Sequence, residues 1–286
     1  MQKWGYRLSI AIPASLVSDI PHLREKTTKI SLVSRAAAIF CVDEIIVFPD
    51  LPENDQRRDI NLIDTILSYM ETPQYLRKRL FEIKPELRYA GILPPLRTPH
   101  HPLANRTKDL TLGENREGAI LSRTQTGSLV DIGVERPALI PNTKLLPNTR
   151  VTVRVTKLGK HNKVAPTNRD EIEAYWGYCV AVSDVPFGRL VRTQPFDLVI
   201  ATSRYGSPLT QVADELMKHW KESRNILVAF GAPTQGLPDI INRENLRLDE
   251  LAQFTVNTIP NQGTETVRTE EAIYTSLAVL NLIVEK

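Results

Sequence analysis

The sequence predicts an α/β domain on a parallel sheet, interrupted by a small all-β insertion. Apolar runs of strand length alternate with amphipathic helical patterns in residues 6–91 and again from about residue 175. Four prolines in residues 91–103 mark a linker, because proline fixes its own backbone and disfavours helix in the residue before it. Short β-rich runs separated by turn residues follow that linker. We therefore expect the α/β domain at 1–91 and 170–286, and the insertion at 92–169.

The first α/β region has the pattern of two strands and three helices. Ile60, Ile63, Ile66 and Leu67 share one helical face, which predicts an amphipathic helix packed on a sheet. The predicted strands are 7–13 and 42–49, and the predicted helices are 22–40, 59–70 and 75–83.

The insertion has the size and strand spacing of a small OB-like β-barrel. Turn residues such as Gly127, Gly133 and Asn148 separate its short apolar runs. We predict four or five strands, at 118–123, 128–133, 137–140 and 150–157, with 162–165 as the fifth.

The α/β pattern resumes after the insertion. Strands are predicted at 178–183, 196–203, 225–231 and 254–260. Ser207 and Pro208 predict the start of a helix, with serine as the cap and proline in the first turn. Thr269 opens a final helix whose first turn carries two glutamates, at the positive end of the helix dipole.

Positive charge is concentrated in the insertion. Residues 92–169 hold 13 Lys and Arg against 5 Asp and Glu, whereas the rest of the chain has a balance of −5. This asymmetry favours a surface for a polyanion such as nucleic acid, although basic surfaces also serve solubility alone.

Cysteine usage and hydropathy indicate the compartment. Cys41 and Cys179 are too few for a disulfide framework, and each lies in an apolar run, so we expect buried free thiols in a reducing cytoplasm. No apolar stretch reaches membrane-spanning length and no targeting segment is apparent. The sequence predicts a soluble, cytoplasmic protein.

Several common motifs are absent from the sequence. No G-x-G-x-x-G follows a strand, which disfavours a dinucleotide site or a Rossmann-type methyltransferase. GKHNK at 159–163 lacks the rest of a phosphate-binding loop. His100 and His101 are adjacent, and we expect them to be solvated linker residues that bind no metal.

Three glycine-bearing polar segments follow predicted strands. They are 202–206, 230–236 and 257–266. Open parallel sheets bind ligands at the carboxyl ends of their strands, and glycines let the backbone approach a ligand closely. Any one such loop is a common turn, but three after consecutive strands indicate a ligand site.

The same segments carry a resemblance to a known family. NTIPNQGTETVRTEEAIYTSLAVLNLI at 257–283, with AFGAP at 229–233, resembles the cofactor-binding end of SPOUT methyltransferases. More narrowly, the chain resembles the archaeal and eukaryotic branch of these RNA methyltransferases, in which an OB-like barrel interrupts the knotted domain. LSIAIPASL at 8–16 and SRAAAIFCVDEIIVF at 34–48 resemble its N-terminal signature, and RYAGILPPLRTPHHPL at 88–103 resembles its passage into the barrel.

The resemblance implies a SPOUT α/β trefoil-knot domain that binds S-adenosyl-L-methionine, works as a homodimer and methylates RNA. It implies ribosomal RNA as substrate, with uridine N3 as the target atom. The residues it assigns to cofactor binding are Gly231, Ala232, Thr258, Ile259, Pro260, Gln262, Gly263, Thr264 and Val267.

Methylation of a uridine nitrogen requires loss of a proton and stabilisation of the resulting anion. Arg35, in the N-terminal motif, and Arg268, beside the cofactor loop, are the candidate cations. Glu265 and Glu270 are the candidate proton acceptors, although Glu270 can also serve the helix dipole.

The insertion supplies the candidate RNA-binding residues. They are Arg123, Arg136, Lys144, Arg150, Arg154, Lys157, Lys160 and Lys163. Because residues 90–174 contain no Phe, Tyr or Trp, base stacking on the barrel is poor. We expect salt-dependent contacts to phosphates with weak sequence selectivity.

Two other functions remain open at this point. One is a non-catalytic RNA-binding or ribosome-assembly factor on a SPOUT scaffold, which titration with the methyl donor would distinguish. The other is a dinucleotide-dependent enzyme acting on a small molecule, which the missing glycine motif and the basic insertion disfavour.

Overall fold

The computed structural model describes residues 5–159 and 161–284. Contacts divide the chain into two compact units. The barrel unit comprises Tyr69–Pro85 and Pro95–Gly177, and the α/β unit comprises the remaining described residues. Of the insertion expected at 92–169, residues 95–169 lie in a unit that also includes residues 69–85, whereas residues 92–94 lie in the α/β unit.

Eleven strands occur in the described residues. In chain order they are β1 (Arg7–Pro13), β2 (Glu44–Phe48), β3 (Asn115–Arg123), β4 (Gly127–Asp131), β5 (Ala138–Pro141), β6 (Arg150–Lys157), β7 (Lys163–Pro166), β8 (Cys179–Val182), β9 (Leu198–Pro208), β10 (Asn225–Ala229) and β11 (Phe254–Asn257). The α-helices of the same residues are α1 (Leu23–Ile39), α2 (Arg57–Glu71), α3 (Gln74–Leu80), α4 (Phe187–Thr193), α5 (Leu209–Glu222), α6 (Leu237–Arg243) and α7 (Thr269–Val284).

The α/β unit is built on a six-stranded sheet with the order β11-β9-β10-β1-β2-β8. Every neighbouring pair is parallel. The central strand β1 is buried at every position after Arg7, because helices cover both faces of a parallel sheet. The predicted α/β class with a parallel sheet is confirmed.

The barrel unit contains a closed barrel with the order β3-β4-β5-β7-β6. Its pairs are antiparallel except for β5 with β7. Ile120, Val130, Ile140, Val153 and Val164 fill its interior, each from a different strand. The predicted five-stranded barrel is present, and all five strands overlap the segments that the pattern predicts.

The start of α5 differs from the prediction. Strand β9 continues to Pro208, since Ser207 and Pro208 pair with Val256 and Asn257 of β11. Pro208 is therefore the N-cap of α5 and not its first turn, and no side-chain cap is present. The sequence pattern predicts no helix at α4 or α6, each of which is only about two turns long.

The prediction that both cysteines are buried is wrong. Cys179 is exposed at the start of β8, an edge strand with a neighbour on only one side. Cys41 is half-buried and has a φ of 53°, directly after the end of α1. The amide of Val42 donates to the carbonyl of Ala37 at 2.9 Å, so Cys41 occupies the left-handed position of a helix C-terminal motif.

Candidate functional site

A cavity of about 470 Å³ opens in the α/β unit at the carboxyl ends of β10 and β11 and beside residues 202–205 of β9. Its wall is formed by residues of the three predicted segments, 202–206, 230–236 and 257–266, and by the start of α7. Carboxyl ends of parallel strands meet at one edge of a sheet, so loops distant in sequence converge there. The cavity therefore lies at the edge of the sheet where the sequence predicts a ligand site.

The cavity wall contains most of the residues assigned to the cofactor. Gly231, Ala232, Thr258, Ile259, Gln262 and Val267 line it. Pro260, Gly263 and Thr264 belong to the same loop but are exposed and do not line the cavity.

Helix α7 fastens the two loops that follow β10 and β11. The Thr269 hydroxyl donates to the carbonyl of Gly231 at 2.9 Å, and the hydroxyls of Thr258 and Ser276 lie 2.8 Å apart. Each bond ties one loop to α7 by a side chain that the sequence pattern had not singled out for this purpose. These contacts preorganise the wall without using a charged group.

The turn after β10 is tightly closed. The amide of Ala232 donates to the carbonyl of Gln235 at 2.8 Å. A Cβ on Gly231 would lie 3.0 Å from that same carbonyl oxygen and 3.1 Å from the Cα of Gly236. A side chain at 231 would therefore force this turn to shift by a few tenths of an ångström.

Gln235 presents an unsatisfied acceptor at the cavity. Its Oε1 atom is buried and has no hydrogen-bond partner among the described residues. A buried acceptor without a donor costs free energy, so such an atom is a natural contact for a ligand N–H or O–H. Sequence reasoning missed Gln235 because a glutamine in a loop has no distinctive pattern.

Three charged residues line the cavity: Arg204, Asp239 and Glu265. Arg204 Nη1 donates to the carbonyl of Glu265 at 2.9 Å, and Asp239 Oδ2 accepts from the amide of Gly236 at 3.2 Å. The acid three residues after Gly236 is a signal for a helix start, and it could have located Asp239 and α6.

The candidate catalytic residues do not converge on the cavity. Arg268 is exposed and stands between the wall residues Val267 and Thr269, but it is not itself part of the wall. Arg35 is half-buried on α1. Burial raises the pKa of Tyr274 on α7, and the positive charge of Arg35 opposes that increase.

Glu270 is buried away from the cavity wall and takes part in an ion pair. Its Oε2 lies 3.6 Å from Nζ of Lys29 on α1, and the same ammonium lies 3.1 Å from Asp19. The side chains of Lys29 and Glu270 are 3% and 6% exposed. This pairing of α1 with α7 is a structural role, and of the two candidate proton acceptors only Glu265 lines the cavity.

The candidate RNA-binding residues fall into different classes of exposure. Those fully exposed are Arg123, Arg136, Lys144, Arg154 and Lys157. Lys163 is half-buried, and Lys160 lies outside the described residues.

Arg150 is occupied by buried carboxylates within the barrel unit. Its guanidinium donates to Glu71 at 2.5 and 3.0 Å and to Glu117 at 2.6 Å. Arg169 donates to Glu71 at 3.0 Å, and Trp176 Nε1 donates to Glu117 at 2.6 Å. Because two carboxylates neutralise it, we remove Arg150 from the proposed RNA surface.

Charge pairing controls the protonation state of this network. Burial alone would raise the pKa of Glu71, but Arg150 and His100 more than offset it and hold that pKa well below its usual range. The pKa of Glu117 is also lowered, with Arg150 the main opponent of burial. Burial lowers the pKa of Arg150, but the Glu71 and Glu117 carboxylates outweigh burial and raise that pKa above its usual range, so all three groups are ionised at neutral pH.

The prediction that His100 and His101 are solvated is wrong. His100 is fully buried, and Nε2 of each ring lies within 2.9 Å of the carbonyl oxygen of Glu71. The rings are 4.3 Å apart, so adjacent residues here share one partner. Burial lowers the pKa of His101 to about 4.

No group of three or more His, Cys, Asp or Glu in the described residues is arranged to hold a metal ion. Within the same residues, no helix combines the length and the apolar character needed to cross a bilayer.

Comparison with known proteins places this architecture in a family. A family model described as "Putative RNA methyltransferase" matches residues 7–280. An uncharacterized protein of Halobacterium salinarum is 34% identical over 294 residues, covering 96% of this chain and 98% of its own. The 28S rRNA (uridine-N(3))-methyltransferases of Homo sapiens and Mus musculus are 34% and 33% identical, over 96% of this chain and 78% and 76% of theirs. The chain belongs to this family of RNA methyltransferases.

Proposed function

We propose that this chain transfers a methyl group from S-adenosyl-L-methionine to N3 of a uridine in ribosomal RNA. The observation that carries the proposal is the cavity beside β9, β10 and β11 in a chain matched to the RNA methyltransferase family over residues 7–280. The human and mouse relatives, which cover 96% of this chain, are named for that reaction.

The residues present fit the methyl donor. A volume of about 470 Å³ is within the ordinary range for a small-molecule site. Ala232, Ile259 and Val267 offer apolar walls for a purine, and the unpaired Oε1 of Gln235 offers an acceptor for an amino group. When bound, S-adenosyl-L-methionine supplies an electrophilic methyl group on its sulfonium.

The carboxylates of Asp239 and Glu265 suit this donor electrostatically. Both line the cavity, and a sulfonium cation is stabilised by nearby negative charge. Arg204 keeps the Glu265 backbone in place through its 2.9 Å bond to the carbonyl. Exposed Pro260, Gly263 and Thr264 belong to the same loop, and we propose that they shape it.

The chain must also remove the N3 proton of uridine. We propose that the Glu265 carboxylate accepts this proton, because Glu265 lines the cavity. Glu270 is instead ion-paired with Lys29. Arg268, next to two wall residues, is proposed to stabilise the uridine anion. Arg35 is a second candidate for stabilising the uridine anion, on the basis of the family likeness. It lies on α1, close enough to Tyr274 of α7 to affect the pKa of that tyrosine.

The family likeness further implies that the chain passes through a trefoil knot between β11 and α7 and that it forms a homodimer. Exposed apolar side chains at Leu32 and Ile39 of α1 and at Leu282 of α7 support a dimer, because these two helices pack together. Light scattering after gel filtration would test it, and a monomer at micromolar concentration would exclude it.

We propose that the barrel binds phosphates of the RNA. Its β6–β7 pair places Lys157 directly opposite Lys163. Like charges facing each other across strands are destabilising, and a bound phosphate would relieve the repulsion. Arg123, Arg136, Lys144 and Arg154 add exposed charge, and the closed five-stranded barrel supports the proposed OB-like fold.

Two measurements test the proposed function. Calorimetric titration with S-adenosyl-L-methionine should show one site per chain. Incubation of purified large-subunit ribosomal RNA with the chain and tritiated donor should then label RNA, and nucleoside mass spectrometry should identify 3-methyluridine. Donor binding without labelling would favour a non-catalytic factor, and absence of donor binding would exclude the enzyme.

A further inference from the structure

Tyr205 is unusual among the aromatic residues of this protein. Its side chain is 79% exposed, and every other Phe, Tyr and Trp within 5–159 and 161–284 is buried or half-buried. A single exposed apolar side chain is common on protein surfaces. What distinguishes Tyr205 is that it belongs to the wall of the cavity.

The backbone projects this ring out of the sheet. Thr255 of β11 pairs with Ala201 of β9, yet the next residue, Val256, pairs with Ser207. The five residues 202–206 of β9 therefore have no paired residue on β11, and the ladder of hydrogen bonds between the two strands is interrupted there. Irregularities of this kind next to a ligand site re-aim side chains. Gly206 permits the excursion, because a Cβ there would lie 2.6 Å from the Thr255 carbonyl oxygen.

The ring is held in place from one side. The guanidinium carbon of Arg204 lies 4.7 Å from the Tyr205 ring centroid, and Nη2 of Arg204 donates to the Tyr205 hydroxyl at 2.5 Å. Arg204 is itself fixed, because its Nη1 donates to the Glu265 carbonyl and its own carbonyl accepts from Asn257 Nδ2, both at 2.9 Å. With 79% of the side chain exposed, a large part of the ring remains available to a second flat group.

The proposed reaction needs such a flat platform. Enzymes that modify a base take it out of its stack, and single-stranded bases are then held by aromatic side chains. The barrel cannot supply this contact, because residues 90–174 contain no Phe, Tyr or Trp. The aromatic side chain beside the donor cavity is therefore the one placed to receive the base.

We propose that the exposed ring of Tyr205, backed by Arg204, is the platform on which the unpaired target base of the RNA stacks. This proposal rests on the proposed function, since it assigns the substrate-side contact of the same cavity. It makes Tyr205 a substrate-binding residue with no role in proton transfer.

The first test compares variants in methyl transfer to large-subunit ribosomal RNA. Tyr205→Ala and Tyr205→Leu should each lower kcat/KM for RNA by about tenfold to a hundredfold, the usual effect of removing a stacking partner. Tyr205→Phe keeps the ring and should stay within about threefold of the wild type. Donor affinity by calorimetry should be unchanged in all three.

Tyr89→Ala is the matched control. Tyr89 also follows an arginine whose guanidinium lies over its ring, at 5.6 Å, but it is half-buried and does not line the cavity. This control should retain full transfer. Full transfer by Tyr205→Ala, recovery of transfer by Tyr205→Leu, or a parallel loss of donor affinity in Tyr205→Ala would each overturn the proposal.

A second test does not depend on turnover. RNA carrying 5-bromouridine is irradiated with the wild-type chain in the presence of S-adenosylhomocysteine, and crosslinked tryptic peptides are identified by mass spectrometry. The crosslink should map to Tyr205, in the peptide 205–218, and not to Tyr89. If the wild-type chain transfers no methyl group to RNA, the proposed function fails. If the chain binds RNA but gives no crosslink at Tyr205, only the proposal that Tyr205 stacks on the target base is overturned.

Discussion

The cavity of the α/β unit and the ion network of the barrel unit use the same residue types for opposite purposes. In the cavity wall, Arg204, Asp239 and Glu265 line open space and make few contacts to each other's side chains. In the barrel unit, Arg150 and Arg169 are paired with Glu71 and Glu117, whose side chains are 6% and 1% exposed. Burial with a partner makes a charge structural, whereas access to a ligand makes it functional.

The comparison predicts that the largest effect on folding comes from Glu71. Glu71→Gln leaves Arg150 and Arg169 without their shared carboxylate, and breaking a buried pair costs about 3–5 kcal/mol. Urea unfolding should show this loss. Glu173→Gln, at an exposed position of the same unit, is the control and should change stability by less than about 0.5 kcal/mol. Equal stability of both variants would contradict the structural role.

The second prediction concerns acid. The pKa of His101 is lowered to about 4 in the folded chain, so between pH 6.5 and 4 the unfolded state binds a proton that the folded state does not. Stability of the barrel unit should therefore fall as pH drops through this window, by up to about 2 kcal/mol at pH 5.

Glu71 extends the effect to lower pH. The pKa of Glu71 is lower in the folded chain than in the unfolded chain. Its ionised carboxylate therefore stabilises the fold at a pH above the unfolded pKa, and this stabilisation is lost as the pH falls towards the folded pKa. Denaturant melts at pH 7, 5 and 4 would measure both effects, and His101→Gln should flatten the change between pH 7 and 5. A stability that is constant over this range would contradict the assignment.

The third prediction concerns the cavity. Gly231→Ala places a methyl group against the Gln235 carbonyl, so the turn after β10 must shift; binding of S-adenosyl-L-methionine should weaken by about tenfold, and the unfolding midpoint should also decrease. Gly91→Ala is the matched control, because a Cβ there meets nothing within 4 Å. Calorimetry compares the two, and equal affinities would remove Gly231 from the donor site.

The smallest expected effect is on RNA docking. Lys157→Ala with Lys163→Ala removes two facing charges and should weaken RNA binding by a few fold and lower the slope of log affinity against log salt by about 1.4. Lys218→Ala, on exposed α5 surface, should leave the slope unchanged. Anisotropy at several salt concentrations measures it, and an unchanged slope in the double variant would exclude this pair from the RNA surface.

The sequence by itself determined the order of the strands and of α1, α2, α3, α5 and α7, the barrel strands and the edge of the sheet where ligand loops gather. These follow from local periodicity, as in the alternation of β6, and from the rule that parallel strands end at one edge. It also predicted that Gly231, Thr258 and Gln262 belong to ligand loops, and all three line the cavity.

Only the tertiary structure decided which charges and rings are free. Arg150 and Arg154 are four positions apart on one strand, yet the first meets Glu71, 79 residues away, while the second is exposed. His100, in a proline-rich segment that predicts solvent, is fully buried against Glu71. Tyr205 is exposed because a register shift against β11 lifts it from the sheet. Burial and pairing depend on long-range contacts, which local sequence patterns do not encode.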